Sequence, residues 1–136
     1  MAMINPRPIN LVAQLLQLRT MFPNSTGSVY KGTLRWKCEI QPTVICHSYI
    51  IELTYKFSSF PVVNVIGAPW RVLGAKHPPH IYADGSLCLF YPKAREFNGT
   101  MILARTIVPW ASEWLMFYEL WLASDGGEWL GGGTQH

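Results

Sequence analysis

The chain has 136 residues, 49% apolar and 14% charged, with a formal charge of +3. That balance fits one globular domain with a real core and excludes a disordered chain. The Lys and Arg residues are scattered, which excludes a nucleic-acid-binding stripe. No apolar run is long enough to span a membrane.

The N-terminal MAMINPRPIN lacks the basic head and apolar run of a signal peptide. Pro6-Arg7-Pro8 leads into a helix capped by Asn10 and running to about Met21, with Leu11, Leu15, Leu18 and Phe22 on one stripe. Residues 23–27, PNSTG, end it. A first strand follows, with Tyr30, Leu34, Trp36, Cys38 and Ile40 on one face and Lys31, Thr33, Arg35, Lys37 and Glu39 on the other. Pro42-Thr43 turns the chain. A second strand places Tyr49, Ile51, Leu53, Tyr55 and Phe57 inward and Ser48, Glu52, Thr54 and Lys56 outward. A third, shorter strand is predicted at 62–66. The three form an antiparallel meander on the first helix, an α+β arrangement.

Residues 67–98 are irregular and rich in Pro and Gly, a length that calls for a functional reason. The last helix is predicted from near Thr106, with Pro109 in its first turn and Ile107, Trp110, Trp114, Tyr118 and Trp121 at helical spacing. Ser124-Asp125-Gly126-Gly127 stops it, and 128–136 form a Gly-rich tail in which Trp129-Leu130 can still pack down. Four of the six tryptophans crowd this last quarter, as a heavy aromatic core or as a docking surface.

The chemistry concentrates in residues 77–89, HPPHIYADGSLCL. Ala83-Asp84-Gly85-Ser86 is a turn, with Asp-Gly supplying positive φ. Cys88 follows between Leu87 and Leu89. A thiol at the edge of a packed segment, with polar groups just upstream, suits acyl transfer through a thioester. The competing reading is an inert buried cysteine.

This segment resembles the active-site signature of ubiquitin-conjugating enzymes, His-Pro-Asn, a short turn with Gly, then Ile/Leu-Cys-Leu. Cys88 falls on that family's thioester cysteine. Counting back, His80 falls on its asparagine, and Pro78 on its histidine. His77-Pro78 matches the start of the motif displaced by one residue. The order helix, meander, irregular segment, helix is also that of the ubiquitin-conjugating fold. Departures come after the cysteine, where Phe90-Tyr91-Pro92 stands in place of the frequent Asp-Ile-Leu. PHIY, LCLFYP, PWASEWL, YELW and the GEW tail are similar instead to the bacterial branch that accompanies cGAS-like nucleotidyltransferases in anti-phage operons of the CBASS type.

The resemblance implies a cysteine acyltransferase. Cys88 receives the C-terminal carboxyl of a protein, the operon's cGAS-like nucleotidyltransferase rather than ubiquitin, as a thioester. The acyl group then passes to an amine and primes cyclic-nucleotide signalling. The family's asparagine donates to the oxyanion, and an imidazole N–H of His80 can do the same. His80 can equally be a surface or capping residue, and only a fold-back brings it to Cys88.

Tyr82 and Asp84 are candidates to line the cleft, Asp84 also as a turn former. Lys93 and Arg95 are candidates to receive an acidic tail, or form a solvated charge pair. His77 orders the loop beside Pro78 and Pro79. Cys38 and Cys46 read as core or edge residues, and His47 completes no metal site with them. Glu113 and Glu119 read as helix surface. An odd count of three cysteines suits a reducing cytoplasm. No phosphate-binding loop is present, so no nucleotide cofactor is expected, and loading draws on a separate activating enzyme or another acyl source. Two other classes compete: a catalytically silent variant that regulates the nucleotidyltransferase by complex formation, and a Cys–His hydrolase, which needs a base bonded to sulfur and a third residue to orient it.

Overall fold

The structure, a computed structural model, describes residues 7–67, 70 and 77–131. Helix α1 spans Leu11–Met21. Asn10 is extended at its head, and its side chain accepts the Ala13 N–H at 2.8 Å, so one orphan donor of the first turn is satisfied as the sequence predicts. The buried face of α1 carries Leu11, Gln14 and Leu18.

The sheet has four strands, β1 Thr26–Tyr30, β2 Thr33–Ile40, β3 Tyr49–Lys56 and β4 Val62–Val65, antiparallel in sequence order. The sequence predicts three; β1 is the addition. Lys31 (φ 49) and Gly32 (φ 74) form a two-residue hairpin turn in which both central residues take positive φ. The loop pairs Tyr30 with Thr33 and so inverts odd–even parity: the inward positions are odd on β1 and even on β2. The expected inward Tyr30 is instead exposed beside this turn, with the Lys31 ammonium 5.3 Å from its ring centre. Phe57, expected inward, lies beyond the end of β3 and is exposed.

On β2 the alternation holds: Leu34, Trp36, Cys38 and Ile40 are buried, and Arg35, Lys37 and Glu39 face water. Ile51, Leu53 and Tyr55 of β3 and Val63 of β4 complete the inner face. Lys37 and Glu52, opposite each other across β2 and β3, make a surface ion pair at 3.8 Å.

Helix α2 spans Ile107–Ala123 and enters through a 3-10 turn at Leu103–Arg105. Ile107, Val108, Ala111, Trp114, Leu115, Tyr118 and Trp121 are its buried residues. Two polar side chains pin the helices. Fully buried Gln14 donates to the Met101 carbonyl at 2.8 Å and accepts from the Leu103 N–H at 3.0 Å, locking α1 to the approach of α2. Glu119 accepts from the His47 N–H at 2.9 Å and the Tyr49 hydroxyl at 2.8 Å, tying the β2–β3 loop to α2. Glu119 is therefore a brace rather than plain helix surface. The helix ends where expected, with Asp125 and Gly126 at positive φ and the Gly126 N–H returning to the Trp121 carbonyl at 2.9 Å.

Candidate functional site

Residues 80–88 make the fold-back that His80 and Cys88 require. Ile81 and Leu87 form an antiparallel bridge. The Tyr82 N–H donates to the Ser86 carbonyl at 2.8 Å, and the Gly85 N–H closes the turn on the Tyr82 carbonyl at 2.9 Å. Asp84 Oδ1 accepts from the Ser86 N–H at 2.9 Å and the Ser86 hydroxyl at 2.6 Å, and these bonds hold its carboxyl below the usual carboxylate range. Gly85 has φ 88, which a side chain would resist. The Leu87 N–H reaches the Val63 carbonyl at 3.0 Å and fastens this hairpin to the sheet through β4.

At its open end the Cys88 N–H donates to the His80 carbonyl at 2.9 Å. The Trp114 indole N–H donates to the same oxygen, also at 2.9 Å. His80 sits at φ 59, left-handed backbone that costs a non-glycine residue about 1–2 kcal/mol. Two hydrogen bonds to one carbonyl fix a residue that would otherwise relax, and such over-determined backbone clusters at functional sites.

His80 and Cys88 both line an open groove of about 660 Å³. One wall is α2, with Trp110, Glu113, Trp114 and Phe117; the other runs through Leu89, Phe90, Tyr91, Ala94 and Glu96; Trp129 and Gly131 close one side. Trp114 is the hub of an aromatic cluster, with ring centres 4.9 Å from Trp70, 5.6 Å from Tyr118 and 5.2 Å from Trp129. The Trp70 indole donates to the Gly85 carbonyl at 2.9 Å, so the cluster also grips the turn. The four-tryptophan quarter thus splits: Trp121 and Trp114 are buried, and Trp110 and Trp129 are half-buried groove walls.

Cys88 is 8% exposed, on the groove floor. Burial pushes its thiol above the ordinary cysteine value. A hydrogen bond from the Tyr82 hydroxyl works against that, and the Asp84 carboxylate adds a smaller upward push. The balance of these influences favours the protonated thiol.

The family model described as Type II CBASS E2 protein matches residues 14–136. The chain belongs to this family. No curated protein matches it. Membership carries the fold with it: the four-stranded antiparallel sheet and two helices are the α+β arrangement of a ubiquitin-conjugating-like domain. It also places the chain in CBASS anti-phage defence, as the ubiquitin-conjugating-like component.

In this CBASS E2 protein, Cys88, His80, Tyr82 and Asp84 come together on one hairpin. His77 is exposed at the approach to it, beside buried Pro78. Lys93 lies exposed on a 3-10 turn at Pro92–Ala94, and Arg95 follows at φ 54. Neither lines the Cys88 groove; Arg95 instead borders a second hollow of about 430 Å³ with Tyr55 and Phe97. Sequence reasoning gave Trp114 to the core and left Glu96 and Glu113 without a place at the site. The regular spacing of Trp110 and Trp114 carries the helix face but not the hairpin that the indole reaches. Among the described residues no group of three His, Cys, Asp or Glu side chains is placed to hold a metal. Cys38 is buried and Cys46 half-buried, accepting from Thr43 Oγ1 at 3.1 Å. No helix among the described residues is long and apolar enough to cross a membrane.

Proposed function

We propose that this CBASS E2 protein carries a protein C-terminus as a thioester on Cys88 and passes it to an amine. The carrying observation is one nucleophile on the floor of an open groove, its backbone paired with that of His80. Loading is an exchange. The Cys88 sulfur attacks an activated acyl carbon, the incoming leaving group departs with the thiol proton, and the cysteinyl thioester remains. An amine then attacks that carbonyl, the amide forms, and Cys88 regains its proton. The thiolate fraction makes the attack, and an activated acyl group needs no strong general base, so a small fraction suffices for this exchange.

His80 supplies an imidazole N–H to the oxyanion of each tetrahedral intermediate. Tyr82 donates to the sulfur, and Asp84 sets the turn that holds both. Lys93 and Arg95 present exposed cations past the groove to an acidic part of the cargo, and His77 orders the entry to the hairpin. The cargo is the C-terminus of the operon's cGAS-like nucleotidyltransferase, loaded by a separate activating enzyme or another acyl source, and the acceptor is a lysine. Transfer primes cyclic-nucleotide synthesis. The reaction belongs in the cytoplasm, where thiols stay reduced.

Co-expression of the chain with the nucleotidyltransferase, followed by intact mass under non-reducing conditions, tests this directly. A Cys88 adduct cleaved by hydroxylamine and lost in Cys88→Ala is expected. A tight complex with no adduct from wild-type protein would instead establish the silent binding module.

A further inference from the structure

The C-terminal segment after α2 returns to the groove. The Trp129 indole lies over the His80 imidazole, with ring centres 5.5 Å apart and planes at 55°. It is held from behind by Trp114 at 5.2 Å and Phe117 at 6.4 Å. The chain just beyond it passes close under the same ring. A Cβ on Gly131 would stand 2.8 Å from Trp129 Nε1 and 2.7 Å from Phe117 Cδ2, so any side chain there would displace these rings. Trp129 and Gly131 both line the groove that holds Cys88.

These contacts divide the fixing of His80 between two tryptophans. Its carbonyl is held by the Trp114 indole and the Cys88 N–H. Its ring has Trp129 as an aromatic neighbour from a different part of the chain. An imidazole that donates to an oxyanion must keep its ring plane and its N–H aimed, because a misplacement of about 1 Å can cost a hundredfold in rate. We propose that Trp129 is a positioning residue, which fixes the His80 ring for thioester chemistry at Cys88 and makes the C-terminal segment part of the active site. This rests on the reading of Cys88 and His80 given above.

The test uses a glycine-ended peptide thioester as acyl donor and free lysine as acceptor, with loading and aminolysis followed separately by intact mass. Trp129→Ala should slow aminolysis of the loaded enzyme about tenfold, and Trp129→Phe should restore most of the rate. In a His80→Ala background, Trp129→Ala should have no further effect. A Trp129→Ala enzyme that discharges at the wild-type rate overturns the proposal, as does an equal loss in both backgrounds. Where His80→Ala itself is without effect although Cys88→Ala abolishes loading, the assignment of His80 fails and the proposal with it. Loading that survives Cys88→Ala refutes the thioester reading itself.

A second measurement needs no acyl donor. Proton NMR of the free protein should show the His80 ring resonance displaced by the indole ring current, identified by its loss in His80→Ala. Trp129→Phe should move it, and Gly131→Ala should move it in the same direction. A His80 resonance unchanged in both variants refutes the contact.

Discussion

Trp114→Phe probes the joint between core and site. The change removes the indole N–H that His80 accepts at 2.9 Å and shortens a ring that is only 5% exposed. The lost hydrogen bond costs about 1 kcal/mol, since the His80 carbonyl keeps its bond from the Cys88 N–H and is not left bare. Truncating a buried aromatic to Ala costs about 3–5 kcal/mol, and losing the smaller part of the indole takes about 1–2 kcal/mol of that. The sum, about 2–3 kcal/mol, corresponds to a fall in Tm of about 6–12 °C for a domain of this size. Urea denaturation gives the free energy, and alkylation of Cys88 by iodoacetamide, at a urea concentration well below the transition, reads the site. The rate should rise, because the strained His80 loses one of two bonds holding it at φ 59 and the Cys88 backbone pairs with it. A variant within 0.5 kcal/mol of wild type, on the order of a neutral surface change, would show that the indole N–H bond does not fasten the hairpin.

Four further outcomes follow from the same geometry. Gln14→Leu keeps the volume but leaves the Met101 carbonyl and the Leu103 N–H without their partner, and should destabilise by about 2–4 kcal/mol in urea. Tyr82→Phe removes the donor to the Cys88 sulfur, so the thiol titrates higher still and alkylation at pH 7.5 should slow severalfold; an unchanged rate argues against that bond. Because the folded thiol sits above the unfolded value of about 8.5, the wild-type alkylation rate should keep climbing with pH past 9. The stability this shift contributes is complete below the unfolded pKa and is lost as pH rises through the folded one, as urea midpoints between pH 7 and 10 can check. Glu119→Ala releases both the His47 N–H and the Tyr49 hydroxyl, and hydrogen exchange in the β2–β3 loop should accelerate while the hairpin at 80–88 stays protected.

Local signals were enough for the helices and most of the sheet. Asn10 announces α1, the even-numbered apolar run announces β2, and Ser124-Asp125-Gly126 announces the end of α2. They failed at β1, where Lys31-Gly32 makes a hairpin turn without the usual Asn-Gly or Asp-Gly and shifts the inward positions from odd to even. At the site, Cys88 and the Asp84-Gly85 turn were legible because turn chemistry and a motif are both local. Trp114 and Trp129 were not, since each acts on His80 from far along the chain: 34 residues separate the Trp114 indole from the carbonyl it binds. Gln14 was hidden for a related reason. A glutamine inside a helix reads as solvent-facing until the backbone groups 87 and 89 residues away that it satisfies are in place.

The protonation of Cys88 also separates the competing chemistries. A hydrolase must break an amide, whose poor leaving group demands a thiolate and an acid to protonate the amine, so its cysteine is held ionised by an adjacent imidazolium. Here burial, offset by the Tyr82 phenol and aided by the Asp84 carboxylate, pushes the thiol above its ordinary value rather than below it. Such a sulfur is slow against amides and competent against acyl groups that arrive already activated. The groove protects the intermediate. A groove walled by Trp110, Trp114, Phe117 and Trp129 keeps much of its lining apolar, so a cysteinyl thioester formed there should wait for an amine. The decisive comparison is the loaded enzyme in buffer against the loaded enzyme in millimolar lysine. Hydrolysis as fast as aminolysis would return the site to the hydrolase class; a thioester that persists until lysine is added is what a carrier requires.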